Sequence, residues 1–447
     1  MRRRLLIDLT PLRRSRDFRW LISGQMISVL GTQLTAVAVP FQVYELTHSS
    51  LQVGLVSLAQ LFPLLICSLL GGAVIDATDR RRLLIVVELG LAASSCGLAV
   101  NADLGPALWP LYLFPAITAG LAGVDGPTRN AIYPNLLRPE DISTAAAMFQ
   151  ALFQLGSVVG PAAGGLLLAG AGVHFVYWLD VASTLAGVSC AAALAAQPPA
   201  VGTPRPGLRS VAEGLRFVRG RQAIQGAYLI DINAMVFGMP RALFPALAAT
   251  TFGGGPSVLG FLYAAPGAGA LVGALTTGWV ATVRRQGRAV TVAVIVWGAS
   301  ITAFGLVGAL PVALALLAVA GWADVLSAVF RNTIIQLSVP DRLRGRLSGL
   351  QIGVVQGGPR LGDIEAGAVA TAFGDTASIV SGGLACIAGA LLLARSLPGF
   401  RNAAIDVTGR TAPNAAADGE QQGQEGAIGE GGEPDFSAGA DQPATGE

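Results

Sequence analysis

The chain reads as an all-α membrane protein, with twelve transmembrane helices in two pseudo-symmetric six-helix bundles. Its composition, the spacing of its apolar segments and the placement of its arginines carry that reading. Of 447 residues, 53% are hydrophobic and 13% charged, and the mean hydropathy is +0.60. Soluble domains carry roughly a quarter charged residues, so this balance belongs to a chain with little water-facing surface. All 29 basic residues are arginine, and a net charge of +2 gives no field that would attract nucleic acid.

A helix needs roughly 20 mostly apolar residues to cross a bilayer. Segments near 20–44, 51–75, 83–100, 108–126, 145–169 and 173–196 qualify, then 222–248, 257–281, 289–308, 311–330, 348–371 and 377–395. The opening MRRRLLIDLTPLRRSR has charge but no long apolar core and no small-residue cleavage site. Residues 1–19 therefore read as a cytoplasmic arm before an uncleaved first helix. Residues 20–196 form the N-terminal bundle and 222–395 the C-terminal one. Arginines at 2–4, 13–19, 80–82, 129, 138, 205–221, 284–288, 331–346 and 395–410 flank alternate connections. The connections between them, ELTHSS, NADLGPA, GAGVH, TTFGGGPS and FGDTAS, contain none. This positive-inside pattern predicts a multi-pass protein of the plasma (inner) membrane with both termini cytoplasmic.

The connection 197–221 places Leu208, Val211, Leu215 and Val218 at helical spacing, with Arg209, Arg216 and Arg219 largely elsewhere on the wheel. It reads as a short amphipathic helix on the inner membrane face, or else as a solvated linker. Residues 396–447, rich in acids and glycine with few large apolar side chains, read as a disordered cytoplasmic tail. Cys67, Cys96, Cys190 and Cys386 are scattered through apolar runs, and His48 and His174 are isolated. No metal, disulfide or nucleophile constellation follows from them, so neither an enzyme nor a cofactor is expected. Gly267, Gly269 and Gly273 look like a nucleotide loop but lie within an apolar span with no preceding strand, which makes them helix-packing residues.

The two halves echo each other. Arg129-Asn130-Ala131-Ile132 follows the fourth span and Arg331-Asn332-Thr333-Ile334 the tenth, while Gly160-Pro161 in the fifth matches Gly358-Pro359 in the eleventh. Parallel six-helix repeats with a midplane site between them are a transporter plan.

Between spans two and three, GGAVIDATDRRR resembles the signature of the major facilitator superfamily, with Gly72, Asp76, Arg80 and Arg81 in the matching positions. Ala77 replaces the usual basic residue and Asp79 the usual later glycine, and the second-half copy GWVATVRRQGR lacks the Asp. The resemblance implies a gate closed toward the cytoplasm. There Asp76 would accept from a partner helix N-terminus, and the arginines would hold head groups or facing acids. The fifth span carries Gly156, Gly160, Pro161, Gly164 and Gly165, a smooth face bent by proline. It is similar to that superfamily's antiporter motif at every fixed position, which implies export. FRWLISGQMISVLGTQLTAVAVPFQVYELTHSSLQVGL, PRALFPALA and GGPRLGDIEAG resemble the superfamily's bacterial siderophore and multidrug efflux branch, over about residues 16–395.

The resemblance implies a small-molecule substrate, protons as coupling ion and a monomer in the lipid bilayer. An ionisable residue at a helix centre costs about 2.5–3.5 kcal/mol on insertion, so each is a functional candidate. Those singled out are Asp231, Arg241, Asp324, Arg360, Asp363 and Glu365. Glu88 reads as a structural partner of its own arginine cluster, and Asp180 falls on a span expected at the periphery. Asp231 and Arg241 are ten residues apart, about 15 Å along a continuous helix, and need partners elsewhere. Arg360 and Asp363 share a face and can neutralise each other, whereas Glu365 points away. Asp231 is the first choice for proton coupling, with Arg241 on an anionic substrate group, and Asp363 switched by Arg360 is the second. An importer or facilitator of the same fold, and a non-transporting sensor or scaffold, are the competing classes.

The arginine pattern makes one direct prediction. A single cysteine placed at Thr203 in a cysteine-free background stays unlabelled by an impermeant maleimide on intact cells and reacts once the membrane is opened. Labelling from outside would invert the topology.

Overall fold

The computed structural model describes residues 10–198, 216–339 and 341–404, with side chains except at 73, 281, 341–350 and 352. All regular structure among these residues is helical. A short α1 (Thr10–Arg14) leads into α2 (Arg16–Thr47), α3 (Ser50–Ala77), α4 (Arg80–Leu104) and α5 (Pro110–Leu136). The next helix, α6 (Ile142–Ala192), consists of two arms joined where Gly172 leaves helical geometry at φ 80°. The second half runs α7 (Gln222–Phe237), α8 (Phe244–Ala249), α9 (Gly255–Thr276), α10 (Gln286–Phe304) and α11 (Leu310–Ser338). It ends with α12 (Asp341–Phe373), α13 (Asp375–Ser396) and α14 (Pro398–Arg401).

Among the described residues, nine helices are long and apolar enough to cross a membrane. The expected fifth and sixth spans are the two arms of α6 and count once there. The fourth and eleventh lie on α5 and α12, whose charges and prolines lower their apolarity. The expected seventh span is not continuous. It stops at Phe237, turns through Gly238–Pro240 and a 3-10 turn at Arg241–Leu243, and resumes as α8. The helical separation of Asp231 and Arg241 therefore does not apply.

Local chemistry sets the helix starts. Ser15 Oγ accepts from Phe18 N–H at 3.1 Å and Ser49 Oγ from Gln52 N–H at 3.4 Å, satisfying first-turn donors of α2 and α3. Asp79 Oδ1 accepts from Arg81 N–H at 2.9 Å and Arg82 N–H at 3.2 Å, capping α4. At the opposite end, five of the six arginine-free connections turn through left-handed residues: His48, Gly105, Gly172, Gly253 with Gly255, and Gly374. They are tight hairpins between antiparallel rods.

In the first half α6 packs on α2 and α4, and α5 on α3 and α4. In the second, α11 packs on α9 and α10, and α7 on α12 and α13. Beyond α13 the chain stays ordered, so the boundary at 396 lies inside folded structure. Phe400 is fully buried, and Gly399 N–H donates to Gln222 Oε1 at 2.8 Å. The core of the 197–221 connection, residues 1–9 of the N-terminal arm and most of the tail lie outside the described residues.

The halves join along two seams, α3 with α12 and α6 with α9. Both are backbone contacts permitted by glycine. A Cβ on Gly54 would stand 2.5 Å from the Asp363 carbonyl oxygen, and one on Gly165 2.6 Å from Gly260 Cα. Ser50 Oγ donates to Asp375 Oδ1 at 3.4 Å at the outer limit of the first seam. These contacts cluster toward the arginine-free end. Among the residues with described side chains, the α3–α12 glycine contact nearest the arginine-rich end is Leu65 against Gly353, where a Cβ would find only one atom at 3.9 Å.

Within the second half, Gly269 and Gly321 let α9 and α11 meet backbone to backbone, at Ala318 and Pro266. Leucine at either position forces the rods apart, at a cost of about 1–3 kcal/mol in an overpacked interface. Thermal unfolding of the purified protein should show a clear loss for Gly269→Leu and Gly321→Leu. Gly126→Ala, with nothing within 4 Å of the added atom, should leave it unchanged.

Candidate functional site: charged clusters inside the bundle

Two buried ion-pair clusters occupy equivalent places in the halves. In the first, Arg129 on α5 pairs with Glu88 on α4 through a short contact, and its Nε reaches Asp125 Oδ2 at 2.8 Å one turn earlier. Ser28 Oγ on α2 donates to Glu88 Oε2 at 3.3 Å. Gly187 on α6 leaves room for that carboxylate, since a Cβ there would come within 2.9 Å of Glu88 Oε2. Four helices thus converge on one guanidinium. In the second cluster, Arg331 on α11 lies 2.8 Å from Asp231 Oδ1 on α7, off the line of a hydrogen bond. Its Nη1 donates to Ser327 Oγ at 3.0 Å. Asp324, half-buried two turns before Arg331 on the same face, forms no ion pair among the described residues.

These clusters correct the sequence reading. Arg129 and Arg331 are not loop charges at the membrane surface, because α5 and α11 continue past them to Leu136 and Ser338. Glu88 takes Arg129 as its partner rather than the cluster at 80–82. A period-four signal was present, with Asp125 and Ser327 each one turn before the duplicated arginine. Asp180 is not peripheral. It is 3% exposed, and its Oδ2 accepts from Thr35 Oγ1 at 2.8 Å and Ser95 Oγ at 2.7 Å, while Ser183 Oγ lies 3.4 Å from Oδ1.

The third cluster joins the halves. Asp363 on α12 accepts from Ser57 Oγ on α3 at 2.6 Å and from Ala242 N–H at 3.2 Å, in the break after α7. The expected pairing with Arg360 is absent. Arg360 Nη1 donates to its own helix at the Gln356 carbonyl, 2.6 Å away, and its Nε is buried without a partner. Arg241 is exposed at the break, and Tyr263 Oη donates to its carbonyl at 3.2 Å. Glu365 is half-buried and bonds to nothing among the described residues.

At the arginine-rich end, Arg80 Nη1 donates to the Ala131 carbonyl at 3.1 Å and Arg81 Nη2 to the Ala192 carbonyl at 2.5 Å. Both bonds stay within the first half rather than reaching acids across it. Asp76 makes no hydrogen bond or ion pair among the described residues, and no helix N-terminus is bound to it here. The glycine face of α6 fits its expected use. Cβ atoms on Gly156 and Gly164 would meet Val29 at 3.0 Å and Leu34 Cα at 3.2 Å, and Gly160 abuts Gln33. Gly165 meets α9, so one face serves both a bundle and a seam. No group of three His, Cys, Asp or Glu among the described residues is placed to hold a metal.

Two helical bundles joined along two seams, with ion pairs buried inside each, follow the plan of a secondary transporter. Comparison with known proteins agrees. The sequence profile described as transmembrane secretion effector matches residues 7–428. The enterobactin exporter EntS of Shigella boydii serotype 18 is 31% identical over 77% of this chain and 83% of its own length. EntS of Escherichia coli O157:H7 gives the same figures. Among solved structures, a D-xylose-proton symporter aligns with a TM-score of 0.67 at 13% identity, covering 86% of this chain and 98% of its own. The nucleoside transporter NupG aligns at 0.65 and 14%, covering 85% and 98%. These structures share the fold. The chain belongs to the major facilitator superfamily, in its transmembrane secretion effector family.

Removing one member of a buried pair strands the other, at a cost of about 3–5 kcal/mol, whereas replacing both with apolar residues restores most of it. Arg331→Met should lower the unfolding temperature sharply, and adding Asp231→Leu should recover it. No recovery in the double variant would show that the two side chains are not each other's main partner.

Proposed function

We propose that the protein exports an amphiphilic small molecule, of siderophore or drug-like class, across the plasma membrane by alternating access coupled to proton antiport. The observation that carries this is the asymmetry of the seams. Among the described side chains, the close glycine contacts between the halves lie toward the arginine-free end. With arginine-rich connections in the cytoplasm, this asymmetry supports a reading of the structure as the state that loads substrate from inside. The complete glycine-proline face of α6 supports the same direction, and so does the likeness to proteins named enterobactin exporters.

In the opposite state the α3–α12 seam must open, which breaks Ser57–Asp363, and the inner ends must close, which gives Asp76 a partner. Asp231 is the coupling carboxylate in this reading. While Arg331 stands beside it the charged form is stabilised, and when the helices shift and Arg331 withdraws, the carboxylate takes a proton.

Inside-out vesicles test this. Labelled enterobactin should accumulate when the lumen is acidic and leak away when the gradient is dissipated. Asp231→Asn should abolish accumulation while keeping downhill exchange, and Asp76→Asn should slow both with normal membrane insertion. Gradient-driven accumulation in right-side-out vesicles alone would reverse the direction. Full accumulation by Asp231→Asn would remove Asp231 from the coupling step.

A further inference from the structure

We propose that Arg241 and Arg360 together bind an oxyanion carried by the transported molecule, a carboxylate or group of like charge and geometry. This rests on the reading of the chain as a transporter and names the chemistry of its substrate. The argument begins with what the interior does elsewhere. Arg129 and Arg331 are each held by carboxylates, as a guanidinium removed from water requires. Arg241 and Arg360 have none within ion-pair distance among the described residues. Arg360 Nε is buried and unsatisfied, and only one of its donors is used, on the carbonyl of Gln356.

The two cations share one neighbourhood. The Ala242 amide, next in the chain to Arg241, donates to Asp363 Oδ1 at 3.2 Å, and Arg360 lies one turn before Asp363 on α12, so the two arginines flank one carboxylate. Asp363 offsets only one of the two positive charges, and its oxygens accept from Ser57 and the Ala242 amide rather than from either guanidinium. Two like charges held together repel unless something negative comes between them. Guanidinium forks suit a planar oxyanion, which each can bond through two parallel N–H groups.

The position suits a substrate. Arg241 stands in the non-helical break between α7 and α8, and irregular backbone at membrane depth is tolerated where it lines a cavity. Tyr263 on α9 fixes the break by donating to the Arg241 carbonyl. An anion bound here lies beside Asp363, the carboxylate that ties α12 to α3. Filling the site therefore bears directly on the seam that must open.

Thermal unfolding of the full chain in detergent, titrated with 1-naphthoate, 1-naphthalenemethanol and 1-naphthylmethylammonium, tests the proposal. The three probes are matched in size and differ in charge. Naphthoate should stabilise the protein and the other two should not. Arg241→Gln and Arg360→Gln should each weaken naphthoate about tenfold or more, the loss of a charge-assisted contact. The double variant should abolish the effect, and Arg241→Lys or Arg360→Lys should restore part of it. Arg138→Gln, exposed at the surface, should bind as wild type. Equal response to all three probes, or unchanged naphthoate affinity in the double variant, would overturn the proposal. Where a Gln variant does not fold, the wild-type probe comparison and the Lys variants decide. Because binding is read without membrane or gradient, its failure is separate from failure of the export reading, which shows only in vesicles.

Discussion

A guanidinium in a helical bundle surrounded by hydrocarbon has no water to turn to, and Arg129 and Arg331 organise their halves around that demand. Each sits on the fourth helix of its repeat, and each draws a carboxylate from another helix. The duplicated arginine is neutralised in two different ways. In the first half the acid is on the third helix, Glu88, with Asp125 one turn away and Ser28 completing the shell. In the second the acid is on the first helix, Asp231, and a serine replaces Asp125. The first arrangement has two acids for one arginine and is locked by four helices. The second has a single direct acid and a neighbouring Asp324 with no ion pair of its own. That difference fits the proposed role of Asp231, whose arginine partner carries one direct acid rather than two.

The second constraint is close approach. Hydrocarbon offers helices no hydrophobic drive to associate, so contact must come from packing and from backbone brought near backbone. Gly54, Gly165, Gly260 and Gly367 provide this at the seams between halves, and Gly269 and Gly321 within the second half. Contacts of this kind hold well when the surfaces match and are lost together when rods tilt. Few side chains need to be rearranged for the halves to part. The polar ties that cross the seams, Ser57 to Asp363, Ser50 to Asp375 and Gln154 to the Gly267 carbonyl, are hydroxyl and amide bonds rather than ion pairs. They can be released without stranding a partner charge.

Period and charge placement alone reveal the rods and their approximate limits, because a bilayer forces each spanning segment to satisfy its backbone within itself. Such signals are local and read directly from consecutive residues. The glycine-proline face of α6 was equally legible, since packing surfaces on one helix follow from spacing. The breaks were less so: Gly-Met-Pro before Arg241 interrupts α7, yet the flanking residues are as apolar as a continuous span.

What only the tertiary structure decided is who meets whom. Glu88 with Arg129 is separated by 41 residues, Asp180 with Ser95 by 85 and with Thr35 by 145, and Ser57 with Asp363 by 306. No spacing rule reaches across helices, because the partner depends on the rotation and depth of each rod, which the whole bundle fixes at once. Sequence determined that charges were buried and therefore had to be answered. The packing of the two halves determined which were answered by neighbouring carboxylates and which, at Arg241 and Arg360, have no ion pair among the described residues.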